Sequence, residues 1–252
     1  MERQSHSAFL SRLSRLDLTI PEREALEDLE RQPEERRGRA LVFDAERPDD
    51  RIAIMRSGWS AVRVRTDPGR TTITQIYMAG DVIGFSDLGV GTLPHETTMQ
   101  TSGSVTLLSR TKLFALIITH PRLFETLLSL ASIDTVVLLD RMHAITRFTA
   151  EDRLQHFLLS LKAKIDHCSL QRSDRILLPF SQKEIGDALG LTEIYVNRLV
   201  RRFEKSGELT RSRPYVRLNT RKAWEERLNF RNRYSEFDEN LLKPVVSGRH
   251  GS

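Results

Sequence analysis

Between Pro121 and Pro179 the chain contains neither glycine nor proline, whereas the stretch before it is broken by one or the other at short intervals. A long run without breakers favours continuous helix, and a punctuated one favours short strands joined by turns. The chain is therefore expected to divide into a β-rich first part and a helical later part. From about Arg36 to Ser109 the apolar runs are "RALVF", "RIAIM", "WSAVRVR", "TTITQIYM", "TTMQT" and "VTLLS", separated by "RSG", "TDPGR", "AGD" and "SGS". Runs of this length, rich in Val, Ile and Thr and bounded by turn residues, predict antiparallel strands in a small β sandwich or roll. A short helix is expected from about Pro21 to Glu30, with Pro21 where the first helical turn tolerates it.

Inside the breaker-free stretch, Phe124, Leu128, Ala131, Thr135, Leu138, Met142 and Ile145 recur at alternating spacings of four and three. That is the spacing of a coiled-coil seam, and it fits either an interface between subunits or a stripe on the protein's own core. A second helix is expected after Thr149, a good N-cap followed by Glu151 and Asp152 at the positive end of the dipole. Its predicted buried stripe is Leu154, Phe157, Leu158, Leu161 and Ile165.

The segment "SQKEIGDALGLTEIYVNRLVRRFEKSGEL" carries the densest local signals. Ser181 and Glu184 fit a capping box, Ile185, Ala188 and Leu189 give an apolar face, and Gly190 supplies a left-handed stop. Thr192 caps a following helix whose buried positions are Val196, Leu199, Val200 and Phe203. Its outward positions are Glu193, Ile194, Asn197, Arg198, Arg201 and Arg202. Two helices joined by a short glycine turn, the second bearing Asn and Arg early, match the helix-turn-helix that enters the major groove of DNA. The downstream "LTRSRPYVRLN" reads as a hairpin with Pro214 near its turn and Arg211, Arg213 and Arg217 around it, a basic wing.

Composition narrows the function classes. The chain has 252 residues, 39% hydrophobic and 29% charged, with a net charge of +5. This is length enough for two cores. Between Tyr195 and Lys222 the basic residues Arg198, Arg201, Arg202, Lys205, Arg211, Arg213, Arg217, Arg221 and Lys222 face only Glu204 and Glu208. The surplus charge is thus concentrated where a DNA interface is expected. No stretch is apolar enough to span a membrane and the N-terminus lacks the apolar core of a signal peptide, so a cytoplasmic protein without a membrane partner is expected. The single cysteine, Cys168, supplies neither a disulfide nor a cluster, and "DHC" at Asp166 to Cys168 lacks a second ligand group, so no metal and no cofactor are expected. There is no phosphate-binding glycine loop, nucleophile elbow or H-E-x-x-H motif, and no catalytic residue is assigned.

The order of parts resembles the Crp/Fnr family of bacterial transcription regulators from about Ser7 to Trp224. The resemblance rests on "EIG", "LGLT", "NRL" and "RFEKSGEL" in the helix-turn-helix, and on "AGDVIGF", Ala79 to Phe85, which is similar to the family's G-D-x-I-G segment. It implies an α+β chain: an N-terminal antiparallel, jelly-roll-like β-roll of the cyclic-nucleotide-binding type over 1–120, a long dimerisation helix over 121–147, a Crp-type winged helix-turn-helix over 148–225 and a polar tail over 226–252. The implied function is sequence-specific regulation of transcription by a homodimer on a palindromic operator. The alternative is a ligand-binding sensor or scaffold with only non-specific DNA affinity. The implied base-reading residues are Glu193, Ile194, Asn197 and Arg198. The implied phosphate contacts are Ser181, Gln182, Lys183, Thr192, Arg201, Arg202 and Arg213. Phe124, Leu128, Ala131, Leu138, Met142 and Ile145 would form the dimer interface, and Gly84, Phe85, Thr97 and Thr98 an effector pocket. The partners would be double-stranded DNA, a second copy, a small-molecule effector of unknown identity, and RNA polymerase as a further candidate.

The sequence also departs from the family pattern. Members that bind cyclic AMP carry Glu directly after the G-D-x-I-G segment and an Arg-Ser or Arg-Thr pair soon after. Here Phe85 takes the Glu position, and "SDLGVGTLPHETTMQT" contains no arginine to pair with a cyclic phosphate, so no response to cyclic AMP is expected. The N-terminal cysteines of members that sense oxygen through an iron-sulfur cluster are absent from this sequence, and His95 reads as a solvated loop residue. Much of the family has a cytosine-reading Glu where this chain has Ile194, which offers only an apolar surface, such as to a thymine methyl. Arg198 matches the family's base-reading arginine, and Asn197 falls where some members have Ser.

Overall fold

The computed structural model describes residues 9–10, 13, 18–45, 49–67, 70–85, 87–90, 95–168 and 173–236. Ser86 and residues 91–94 of the arginine-free loop, and the tail from 237 onward, lie outside the described residues. Thr19 and Glu22 form a capping box that starts α1 (Ile20–Leu29) one residue before Pro21. Eight strands follow: β1 (Glu34–Arg36), β2 (Leu41–Phe43), β3 (Arg51–Ser57), β4 (Trp59–Asp67), β5 (Arg70–Met78), β6 (Val82–Ile83), β7 (Glu96–Met99) and β8 (Gly103–Ser109). They build two antiparallel sheets, β1-β8-β3-β6 and β2-β7-β4-β5.

The period-two alternation of strands places opposite residues on the two faces, and here both faces are covered. Val42, Phe43, Met55, Val62, Tyr77 and Met99 meet between the sheets as the interior of the roll. On the outside of the first sheet, Ile52, Ile54 and Leu108 pack against α1, α2 (Arg110–Thr119) and the start of α3 (Pro121–Arg147). The outside of the second sheet presents Trp59, Ala61, Ile73, Ile76 and Met78. These join one continuous core with α4 (Ala150–Cys168) and the helices that follow. The later, helical half thus closes the open face of the β-roll.

That arrangement explains the burial of α4. Thr149 accepts from Asp152 N at 3.2 Å, as its sequence suggests. Beyond the predicted stripe, however, Leu159, Ala163 and even Lys162 and Lys164 are also buried, because the helix lies between the roll and the winged helix. Lys164 extends its ammonium to Asp81 at 2.8 Å and to Ile76 O at 3.0 Å, so the buried charge is paired. The rest of the chain is β9 (Arg175–Leu177), α5 (Gln182–Leu189), α6 (Glu193–Lys205), β10 (Leu209–Ser212), β11 (Tyr215–Leu218) and α7 (Arg221–Arg227), then a 3-10 turn, Arg233–Ser235. β9 completes a three-stranded sheet, β10-β11-β9, that the predicted hairpin lacked. The 3-10 turn docks: Tyr234 stacks on His167 at 5.3 Å, and Arg233 grips Asp140 of α3 at 2.6 and 3.0 Å.

Along α3, Leu123, Leu127 and Leu130 face the protein's own core, while Phe124 (42% exposed), Leu128 (50%), Leu139 (56%) and Met142 (56%) face outward. Of the other predicted seam positions, Thr135 is exposed and Ala131 and Ile145 are half-buried. Leu138 turns inward to line a cavity of about 80 Å³ with Thr74, Ile76, Arg141, Leu161 and Lys164. The outward apolar stripe therefore runs through Leu139 rather than Leu138.

Candidate nucleic-acid interface

The capping box at Ser181 is complete. Its hydroxyl accepts from Glu184 N at 3.2 Å, and Glu184 accepts from Ser181 N at 2.9 Å. Gly190, at φ 67°, ends α5 in the left-handed region. The turn then folds back so closely that a Cβ at Gly186 would stand 2.4 Å from Leu191 O. Only glycine fits there. Thr192 caps α6 by accepting from Tyr195 N at 3.3 Å. The inner face of α6, Val196, Leu199, Val200 and Phe203, is buried as its spacing predicts.

The outer face gathers the predicted base readers. Glu193, Ile194 and Arg198 are exposed, Ile194 at 83%, and Asn197 is half-buried. Two of these side chains have partners that the sequence did not announce. Gln182 Nε2 on α5 donates to Asn197 Oδ1 at 3.3 Å, and the Arg198 guanidinium lies 4.3 Å from the centre of the Tyr195 ring. Such a stack holds a planar cation over the aromatic face.

The predicted phosphate contacts separate into two groups. Ser181, Lys183, Thr192, Arg201 and Arg213 are exposed, with Gln182 half-buried at the start of α5 and Arg213 at the turn of the wing. Arg202 is exposed too, but its guanidinium is ion-paired with Glu151 in the first turn of α4. Arg211 grips Glu204 at 3.1 and 3.2 Å, tying the wing to α6, and Arg217 pairs with Asp174 at 3.0 Å.

Of the residues expected around an effector, Phe85 and Thr98 are engaged outside the interior of the roll. Gly84 and Phe85 follow β6, where Phe85 packs with the apolar cluster under α1. Thr97 and Thr98 lie on β7, and the Thr98 hydroxyl accepts from Arg63 on the face turned to α5. His95 sits 3.8 Å from Asp87. No group of three or more His, Cys, Asp or Glu that could hold a metal occurs among the described residues, and none of their helices is long and apolar enough to cross a membrane.

Residues 152–226 match the family profile described as a Crp-like helix-turn-helix domain. The chain is 26% identical over 203 residues to the transcriptional activator protein FnrA of Stutzerimonas stutzeri, covering 81% of this chain and 83% of that protein. It is 27% identical over 172 residues to the fumarate and nitrate reduction regulatory protein of Escherichia coli, 68% of each chain. The C-terminal part of the chain thus carries a Crp-like helix-turn-helix domain. The chain as a whole is similar to a transcriptional activator and to a regulatory protein. Its fold agrees with FixK2 from Bradyrhizobium japonicum, at a TM-score of 0.69 and 21% identity over 77% of this chain and 96% of that one. A CooA mutant from Carboxydothermus hydrogenoformans superposes at 0.65, with 16% identity over 87% and 95% of the two chains.

Proposed function

We propose that this chain is a transcription regulator of the Crp/Fnr type that binds a two-fold symmetric operator as a homodimer, reads each half-site through α6, and does so without cyclic AMP. The observation that carries the reading is the outer face of α6: Glu193, Ile194 and Arg198 lie exposed beside the half-buried Asn197, on a helix whose other face is locked in the core. Arg198 is suited to a bidentate contact with guanine, and Ile194 to a thymine methyl. Lys183, Arg201 and Arg213 flank these residues as phosphate contacts, which position the protein without reading sequence. The outward apolar stripe of α3 supports a second copy as partner. Against cyclic AMP stand Phe85, which packs as core, and Thr98, whose hydroxyl is engaged by Arg63.

Selection of bound duplexes from a random pool tests the reading. The expected result is an inverted repeat with half-site centres about one or more helical turns apart, roughly 10 base pairs or a multiple. Recovery of single, unrepeated sites would remove the dimer, and equal affinity for all duplexes at fixed salt would leave only charge-driven binding. Cyclic AMP should leave operator affinity unchanged, and calorimetric binding with a matching rise in affinity would overturn that part.

A further inference from the structure

Arg63 lies on the outer face of the β-roll, in β4, and is 7% exposed. Its guanidinium donates to Ala61 O at 3.3 Å, to the Thr98 hydroxyl and to Gln100 Oε1, so the roll itself holds it in one orientation. From there it reaches Glu184 Oε1 on α5 at 3.3 Å. Arg39 approaches the same oxygen at 3.0 Å. Gln100 Nε2 donates to Glu184 Oε2 at 3.2 Å and to Pro179 O at 2.7 Å. Glu184 is also the residue that closes the capping box of α5. One carboxylate therefore starts the first helix of the helix-turn-helix and fastens it to the sensor domain.

Position is transmitted beyond this clamp. Arg141 of α3 donates to Thr74 O of β5 at 2.7 Å and to Ala188 O of α5 at 2.6 Å, which joins the long helix, the second sheet and the helix-turn-helix. In a dimer built on α3, the separation of the two copies of α6 then follows from contacts that begin at the seam and end at Glu184. DNA is exacting about that separation. One extra base pair between half-sites moves the second by about 3.4 Å and turns it by about 35° around the duplex.

We propose that Arg63, through its hold on Glu184, is a specificity-determining positioning residue that sets which half-site spacing the regulator accepts. The inference rests on the dimer reading given above. It concerns spacing alone, because none of the base-reading residues touches the clamp.

The experiment measures affinity for duplexes carrying two copies of the selected half-site at a series of spacings, and for duplexes with single-base changes inside one half-site. Wild type is compared with Arg63→Ala, Arg63→Lys and Glu184→Gln. Gln also closes a capping box, so Glu184→Gln removes the charge while keeping the helix start. Wild type should favour its best spacing over those one base pair longer or shorter on the order of tenfold, a typical cost of one misplaced contact. Arg63→Ala and Glu184→Gln should narrow this to about threefold or less with base preferences inside the half-site unchanged, and Arg63→Lys should fall between, since ammonium keeps the charge but not the fork. If Arg63→Ala fails to fold, Glu184→Gln decides alone. A spacing profile as sharp in Glu184→Gln as in wild type overturns the inference. So does a loss of base preference within the half-site, which would mean that the clamp shapes α6 rather than placing it. A flat wild-type profile instead defeats the dimer reading and takes the inference with it.

Discussion

Replacing Leu128 with Glu should dissolve the proposed dimer and leave the subunit folded. Leu128 is 50% exposed in the single chain and stands on the outward stripe between Phe124 and Leu139. Full burial of a leucine is worth about 1.5–3 kcal/mol, so covering the open half of one contributes about 0.7–1.5, and the two copies together about 1.5–3. Leu128→Ala should therefore weaken dimerisation by roughly ten- to a hundredfold at 1.4 kcal/mol per decade. The glutamate adds the desolvation of a carboxylate on each side of the seam, several kcal/mol per ion before relaxation. Even a small part of that brings the loss to at least about 4 kcal/mol, a factor near a thousand in the dissociation constant. Sedimentation equilibrium over a range of concentrations reads this directly, with far-UV circular dichroism as the check on folding. Leu138→Glu should behave differently, losing thermal stability within the subunit because Leu138 lines the cavity against β5 and α4. A Leu128→Glu protein with wild-type dimer affinity would refute the placement of the seam on this stripe.

Arg198→Ala should erase the preference at one base pair at a cost of about 1–3 kcal/mol, whereas Arg201→Ala should weaken all duplexes alike and reduce the salt slope by roughly one. Affinities for operators varied one base pair at a time, at several salt concentrations, separate the two. Gly186→Ala should destabilise the winged helix by about 1–3 kcal/mol, because its Cβ meets a backbone oxygen that cannot step aside, and a chemical denaturation midpoint equal to wild type would contradict this. Burial raises the Glu184 pKa, but hydrogen bonds from Ser181 and Gln100 and the charge of Arg39 outweigh it and hold the carboxyl below its ordinary 4.5. Its contribution to stability is therefore present above pH 4.5 and lost as the pH falls through the lowered pKa. The melting-temperature gap between wild type and Glu184→Gln should accordingly shrink on acidification from pH 6 to about pH 3, and a gap constant over that range would count against the carboxylate's role.

The helix-turn-helix was legible because its instructions are short-range. Ser181, Glu184, Gly190 and Thr192 act on backbone groups a few residues away, and the inner face of α6 follows from helical spacing alone. The main strands were legible for a similar reason, whereas β1, β6 and β9, of two or three residues each, carry too little pattern to stand out. The clamp was hidden because Arg63 and Glu184 are 121 positions apart, and nothing local in "WSAVRVR" says what meets its first arginine. What covers it is another part of the chain. The same covering buries Lys162 and Lys164, which a single-stripe reading of α4 leaves in water. On α3, Leu138 and Leu139 fit the apolar periodicity almost equally, and only the position of β5 and the rest of the chain decides which turns inward.

Trp59 of the roll meets Phe180 of the winged-helix half edge to face, with ring centres 6.0 Å apart, inside the core that both halves share. Neither half can therefore be inherited as a free cassette. A winged helix transplanted onto another sensor would carry Phe180 and Lys164 to a surface that has no Trp59 or Asp81 to receive them. In lineages descended from this chain, residues of the second sheet and residues flanking α5 should change in matched pairs, and gene fusions that exchange one half alone should be rare.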